Sequence, residues 1–600
     1  MYKNKNIVLR GGNNGVIKNT IALTLINYLL CYFLSSREVL VDLKNFFIIF
    51  LLSTVICWCS KFYQSKRIVF VTLLLFAIFG YSIPLIGYYT EPFFLQRLMK
   101  DFLFFYSLAA FVVLLPLIVE KNIFIFKFIL SLILFLVSLP TLLVCGYYLT
   151  MKTKLSSDTL MALFQTNIQE AKEFLDTYFN AVDILSIIFL IVFFLAVINF
   201  LIKKLFVSVK QKYNSKLVVV LLSLTMFSTY MFFSKTYIAR TFNNTNYLLK
   251  NMQKFEQYKN ERINLLQAEN EVKSLSEDSF ALIIGETHTR SNLSVSGYHR
   301  ETTPWLRESI EKGKVVFLKN AFSCAAQTQP ALEYALTQKN QYNNTPMQKA
   351  MTIVELAREA GFNVVWVTNQ QNDTIAGLIA GEANNTIWAN KSNNDTYLRQ
   401  KNGIDDRLIL YELDKLQQNS QKTLYVIHLL GSHADYSCRY PNEFNKWNES
   451  NILNAYDNSI LYNDYIMEHM ANKLFTKLDV KAIMYFADHG EELNKFYCHG
   501  TDFFLTNYKK YESVKNIVKI PAYFIFSEKY KQKYPAQYNI IKNNADKYFT
   551  NDLVFESMLG LMQVESKYIN KKFAITSSQY DMNLDDLYTI HGKISVKEVL

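Results

Sequence analysis

No histidine precedes His288 in this chain of 600 residues, and all eight lie at or after it. Imidazole chemistry is therefore excluded from residues 1–287. The seven cysteines offer little more. Cys31, Cys57, Cys59 and Cys145 sit in apolar runs, where cysteine behaves as a small hydrophobe. Cys324, Cys438 and Cys498 match no zinc spacing, and three thiols cannot all pair within one chain. One disulfide plus one free thiol stays open. The apolar runs hold almost no ionisable residues, Lys127 being the main exception, which excludes an ion pathway. There is no internal repeat, no low-complexity tract and no nucleic-acid motif, so the net charge of +12 and pI near 9.0 must be explained otherwise.

What is present divides the chain in two. Apolar segments recur at 19–35, 45–60, 68–89, 102–119, 123–149, 184–202 and 217–234. A helix needs about 20 apolar residues to cross the hydrocarbon core, so residues 1–234 read as a multi-span membrane domain of five to seven helices. A basic stretch (Lys3, Lys5, Arg10, Lys18) precedes the first segment. No small-residue cleavage site follows Phe33, so this segment reads as an uncleaved anchor, not a signal peptide. Loops 1–18, 61–67, 120–122 and 203–216 carry more Lys and Arg than the longer loops between them, and the positive-inside rule puts them in the cytoplasm. Five or seven spans then place everything after 235 outside. Much of the basic excess is accounted for by these loops.

The outside loop 150–182 is amphipathic, with Leu160, Leu163, Phe164, Ile168, Ala171, Phe174 and Leu175 at helical spacing, and reads as an interfacial helix. Residues 235–279 are polar and poor in glycine, a helical linker. From 280 to 600 the pattern alternates strands (280–284, 315–318, 363–367, 423–429, 481–487, 520–526) with helices (304–312, 350–360, 405–418, 459–477). That alternation predicts an α/β domain with a mainly parallel sheet covered on both faces.

Two strands run into acidic turns: Phe280-Ala-Leu-Ile-Ile284 into Gly285-Glu286-Thr287, and Ile483-Met-Tyr-Phe486 into Ala487-Asp488-His489-Gly490-Glu491. Sheets of this class present ligands at their carboxyl edge. Glu286, Asp488 and His489 offer two hard oxygens and an imidazole, a set suited to zinc, with manganese the alternative. His433 and His499 sit in comparable loops. Thr328, near the start of the helix that Pro330 announces, would hold its hydroxyl at a positive helix terminus, where an alkoxide able to attack phosphorus is favoured. Cys324 is the rival nucleophile but lacks a neighbouring basic group. Helix capping by Thr328 is the competing structural explanation.

The outer domain resembles the phosphoethanolamine transferases of Gram-negative inner membranes, which are sulfatase- and alkaline-phosphatase-like. The resemblance is carried by Gly285-Glu286-Thr287-x-x-Arg290 with Gly297-Tyr298, Ser323-Cys324-x-x-x-Thr328, Trp366-x-x-Asn369-Gln370, and His428-x-x-Gly431-Ser432-His433-x-x-Tyr436-x-x-Arg439-Tyr440-Pro441. It continues through Tyr456-Asp457-Asn458-Ser459-x-x-Tyr462-x-Asp464, Asp488-His489-Gly490-Glu491 and His499-Gly500. What it implies is a zinc site of Glu286, Thr328, Asp488 and His489, with Thr328 as nucleophile and His433 and His499 near the transferred phosphate or a second metal. Thr166 and Glu170 match residues that hold the ethanolamine head group. The donor would be phosphatidylethanolamine and the acceptor a lipopolysaccharide (lipid A or a core sugar) or a related envelope glycan. The enzyme would be a multi-pass inner-membrane monomer with a periplasmic catalytic domain. Ala325-Ala326, Tyr334 and Ala162 depart from the family's usual residues, and seven spans exceed its usual five. None of these removes a metal ligand or the nucleophile. A phosphoglycerol transferase or sulfatase-like hydrolase on the same site, and an inactive membrane-anchored scaffold, are the alternatives.

Overall fold

A computed structural model describes residues 13–34, 43–88, 94–118, 123–151, 155, 160, 181–210, 216–269, 272–370, 374–392, 405–433, 436–448, 451–493, 512–592 and 594–600. The chain forms two compact units, one from the described parts of Met1–Leu160 and Phe179–Thr245, the other built on Asn246–Leu600.

Over its described residues each of the seven apolar segments is mainly helical in the first unit: α1 (Asn13–Leu34), α2 (Leu43–Cys59), α3 (Lys66–Tyr88), α4 (Phe94–Leu114), α5 (Ile123–Met151), α6 (Ala181–Val207) and α7 (Lys216–Phe233). Beyond Asp101 helix α4 carries apolar side chains on every face, and it is buried over Asp101–Ala110, as a helix enclosed by others must be. Its few polar groups find partners inside the unit. Ser53 Oγ and the Tyr106 hydroxyl lie 2.9 Å apart, and Tyr63 donates to the Val113 carbonyl at 2.5 Å. Helices α6 and α7 instead expose apolar side chains such as Phe189 and Phe227, a surface that belongs in lipid. Among the described residues, Met99–Leu117, Ile187–Val207 and Lys216–Phe233 are long and apolar enough to cross a membrane. Beyond α7 come α8 (Tyr237–Gln257) and α9 (Lys259–Glu269).

The second unit is α/β, as its alternating pattern predicts. Its sheet contains β1 (Ser279–Gly285), β2 (Val315–Phe317), β3 (Asn363–Thr368), β4 (Asn385–Trp388), β5 (Thr423–His428), β6 (Val480–Ala487) and β7 (Ala522–Phe526), in the spatial order β2-β7-β6-β1-β5-β3-β4. The five strands β6, β1, β5, β3 and β4 are mutually parallel, and β7 runs antiparallel to both β6 and β2. Central strands of such a sheet are apolar on both faces. In β1, Phe280, Leu282 and Ile284 pack into one core, while Ala281 and Ile283 pack into the core on the opposite face. Strand β4 was not foreseen. Its four residues, Asn385-Thr-Ile-Trp388, lack an apolar run because it is an exposed-to-intermediate edge strand.

Candidate metal centre

Register brings the two acidic turns together. Gly285 of β1 pairs with Ala487 of β6, and Ile284 with His428 of β5, so the residues that follow emerge side by side at the carboxyl edge. The turns are pinned by backbone bonds: Asp488 N–H donates to Gly285 O at 3.1 Å, and His288 N–H to His489 O at 2.8 Å. Thr287 takes φ of +51°, an unfavourable value for a β-branched residue, and its N–H donates to Asp488 Oδ1 at 3.0 Å. Gly431, with φ of +55°, approaches so closely that a Cβ would lie 2.7 Å from Glu286 O, and Ser432 N–H donates to that oxygen at 3.0 Å.

Glu286, Asp488 and His489 are all essentially buried, and one ligand atom from each lies within 4.8 Å of the others. His489 Nε2 is 3.5 Å from Glu286 Oε1 and 3.4 Å from Asp488 Oδ2. The opposite nitrogen, Nδ1, lies 2.8 Å from the Gly490 carbonyl. A carbonyl can only accept, so Nδ1 carries the hydrogen and Nε2 turns its lone pair toward the carboxylates. Burial, reinforced by the charge of Asp488, pushes the Glu286 carboxyl well above the usual carboxylate range. Asp488 Oδ2 has no hydrogen-bond partner among the described residues although it is buried. Two buried carboxyl groups, one held back from ionising by burial and its neighbour's charge, an inward lone pair and a carboxylate oxygen without a hydrogen bond are what a divalent cation would satisfy, so the residues fit a divalent metal.

Thr328 completes the group. It is the first residue of the helix Thr328–Ala335, behind Gln327 as N-cap, so it is one place inside the helix and does not cap it through its side chain. Its hydroxyl lies 3.1 and 3.3 Å from the two Glu286 oxygens and 3.3 Å from His489 Nε2. Cys324, the rival nucleophile, is wholly buried, and burial together with Asp552 raises its thiol well above its ordinary value, which makes it inert.

Of the remaining expected residues, only His433 is among those described. His433 lies half-buried on the loop after β5, where its carbonyl accepts from Arg439 Nε at 2.8 Å, and it is not among the three mutually close ligands. His499, Thr166 and Glu170, and nearly all of the amphipathic loop 150–182, fall outside the described residues.

Sequence reasoning assigned no role to the supports. Asn551 is fully buried, and its Nδ2 donates to Asp488 O at 2.7 Å while its Oδ1 accepts Cys324 N–H at 2.8 Å. One side chain thereby joins the metal turn to the segment that carries Thr328. Ser323 Oγ also donates to Asp488 O, at 2.5 Å. Asp406 accepts from the N–H groups of Leu430 and Gly431 at 2.9 and 2.8 Å and from Asn369 Nδ2 at 3.1 Å, fixing the loop against Glu286. Gln370 Nε2, bonded to Leu429 O at 2.9 Å, lies 3.4 Å from Glu286 Oε2. Asn369 and Gln370 stand in a recognisable motif, whereas Asn551 before a helix reads only as a cap.

The family model described as Sulfatase matches residues 279–564. The phosphoethanolamine transferase EptA of Escherichia coli (strain K12) is 28% identical over 309 residues, covering 48% of this chain and 53% of that protein. This match therefore spans about half of EptA's length. EptC of the same strain, also a phosphoethanolamine transferase, is 24% identical over 483 residues, covering 74% of this chain and 80% of its own. The integral membrane lipooligosaccharide phosphoethanolamine transferase A of Neisseria meningitidis superposes with a TM-score of 0.58 at 20% identity, over 86% of this chain and 98% of that one. Its likeness is one of fold and extends through the helical unit.

Proposed function

We propose that this chain, which resembles the sulfatase-like phosphoethanolamine transferases, moves phosphoethanolamine from phosphatidylethanolamine to a lipopolysaccharide, at lipid A or a core sugar, or to a related envelope glycan. The observation that carries this reading is the Thr328 hydroxyl, 3.1 Å from Glu286 at the mouth of a buried carboxylate–histidine cluster. Glu286, Asp488, His489 and Thr328 would hold zinc or manganese. Bound there, such an ion lowers the pKa of a neighbouring hydroxyl and offsets charge on phosphoryl oxygens.

The residues divide the work in two steps. Thr328 Oγ, relieved of its proton and facing the helix N-terminus, attacks phosphorus in line with the glycerol oxygen. The Oγ–P bond forms, the P–O bond to glycerol breaks, and diacylglycerol leaves after taking up one proton. A hydroxyl or phosphate of the acceptor then attacks the phosphoethanolamine-threonine, and Thr328 Oγ leaves and regains a proton. His433 and His499 stabilise the phosphoryl oxygens or protonate the leaving groups. Thr166 and Glu170 hold the ethanolamine ammonium. Residues 1–234 anchor the enzyme in an inner membrane, residues 235–279 link, and residues 280–600 work in the periplasm.

The test is to incubate purified full-length enzyme with fluorescent phosphatidylethanolamine, then measure diacylglycerol and seek a phosphoethanolamine mass adduct on Thr328. Wild type should give both and Thr328→Ala neither. Equal diacylglycerol from the variant would sink the mechanism, and preference for phosphatidylglycerol would favour a phosphoglycerol transferase.

A further inference from the structure

The helical unit contains a cavity of about 690 Å³, within the range of about 300–1,000 Å³ typical of sites for small organic ligands. It gathers around the first half of α4, the last turn of α7 and the first two turns of α8, with Pro140 of α5 closing one side. Its wall has two characters. Phe104, Phe105, Met231, Ile238 and Phe242 make an apolar chamber, while Asp101, Ser234, Lys235, Thr236 and Asn243 collect where α7 gives way to α8. Asp101 is only 1% exposed, and its two oxygens receive the Tyr237 N–H at 2.9 and 3.2 Å, so α8 is locked at its first turn onto α4. The chamber is thus held between fixed elements.

The mouth indicates what enters. Tyr230 is 75% exposed, Phe233 51% and Met231 42%. These side chains continue the exposed apolar surface of α7, on which Leu224, Met226 and Phe227 also stand out. A water-soluble ligand would have to cross that apolar rim, whereas a lipid already lies against it. At the polar end Lys235 offers a cation to a phosphate, and Ser234, Thr236 and Asn243 offer donors to ester oxygens. An apolar chamber that opens sideways into the bilayer and ends in a cation and hydroxyls matches one class of molecule.

We propose that this cavity receives the acyl chains of a glycerophospholipid from the leaflet at the carboxyl end of α7; the transferase reading enters only in naming that lipid as the phosphatidylethanolamine donor. Phospholipid carrying a mid-chain diazirine tests this with full-length enzyme in phosphatidylcholine nanodiscs. After irradiation, adducts should concentrate on peptides spanning Asp101–Phe105, Tyr230–Phe233 and Ile238–Asn243. Excess unlabelled phosphatidylethanolamine should compete for them. Filling the chamber with Ala239→Trp, or with Met231→Trp at the mouth, should lower that labelling about tenfold, and the ratio of kcat/KM for a long-chain over a dibutyroyl donor should fall similarly. Labelling spread evenly over the exposed faces of α6 and α7, unchanged by either filling, would overturn the proposal. So would cross-links between two copies through Met231 in place of lipid adducts. Concentrated labelling without transfer to any acceptor would uphold the cavity and refute the transferase reading, so the two fail separately.

Discussion

Two buried acidic clusters in the α/β unit have been solved in opposite ways. In one, Arg262 of α9 lies between Glu355 and Glu382, reaching each at 2.9 Å, and its remaining N–H groups go to the carbonyls of Phe255 and Gln348 at 2.8 and 3.1 Å. Thr352 supplies the rest: its N–H goes to Glu355 Oε2 at 2.9 Å and its hydroxyl to Glu382 Oε2 at 2.6 Å. Burial pushes both carboxyls up, and the guanidinium pulls each back. In the other cluster, Glu286 and Asp488 meet no Lys or Arg among the described residues, and Asp488 Oδ2 is bare. The first site carries its own cation and is structural. The second is built to import one, which ties metal binding to charge balance at the sheet edge.

Substitutions should separate the two most sharply at the edge. Asp488→Ala should lose bound metal and at least about a thousandfold in turnover, while the metal-free protein melts close to metal-free wild type. Metal analysis of purified protein and diacylglycerol release would measure this, and a variant that keeps its metal would erase the distinction. Arg262→Met should do the converse. Stranding two buried carboxylates costs about 3–5 kcal/mol, seen as a lower denaturation midpoint, with metal content per folded molecule unchanged. Loss of metal from folded Arg262→Met would mean that the two clusters are not independent.

The same contrast explains what could be read from the chain. The edge cluster was legible because its ligands follow apolar strands directly, Glu286 after Ile284-Gly285 and Asp488-His489 after Phe486-Ala487, so strand register alone brings them together. Thr328 was legible because Pro330 marks a helix start. Arg262, Glu355 and Glu382 were not, since partners so distant in sequence meet only through tertiary packing and each looks like an ordinary helical charge. Asn551 was hidden for the same reason. Strand β4 escaped because a short edge strand shows no two-faced apolar run.

Asn551 gives the next largest effect and sharpens the comparison from beneath. Unlike Arg262 it neutralises nothing; it only holds Asp488 and the Ser323–Cys324 turn in place. Supports of this kind typically matter by about 10–100-fold in metal affinity or activity. Asn551→Ala should therefore weaken metal binding within that range, measured by chelator competition. Equal affinities for Asn551→Ala and wild type would remove Asn551 from the site.

A third pair, Asp552 and Glu556, has no ion-pair partner among the described residues, and it shows the remaining way to bury acid. Glu556 Oε1 accepts Asn340 Nδ2 at 3.1 Å, Asp552 Oδ2 accepts Gln341 N–H at 2.9 Å, and the other oxygen of each has no partner among the described residues. Burial, with the charge of Asp552 adding to it, pushes the Glu556 carboxyl up to about 8. A proton here does what Arg262 does in one cluster and a metal in the other. The sign follows from linkage: unfolded glutamate titrates near about 4.3, so between there and about 8 the folded protein holds the extra proton. Its stabilisation is complete below the unfolded value and is lost as pH climbs through the folded one. Glu556→Gln keeps the shape and the Asn340 bond but cannot ionise. The wild-type melting temperature should therefore fall more steeply than the variant's between about pH 5 and 8, and parallel curves would show that Glu556 is already ionised in the fold.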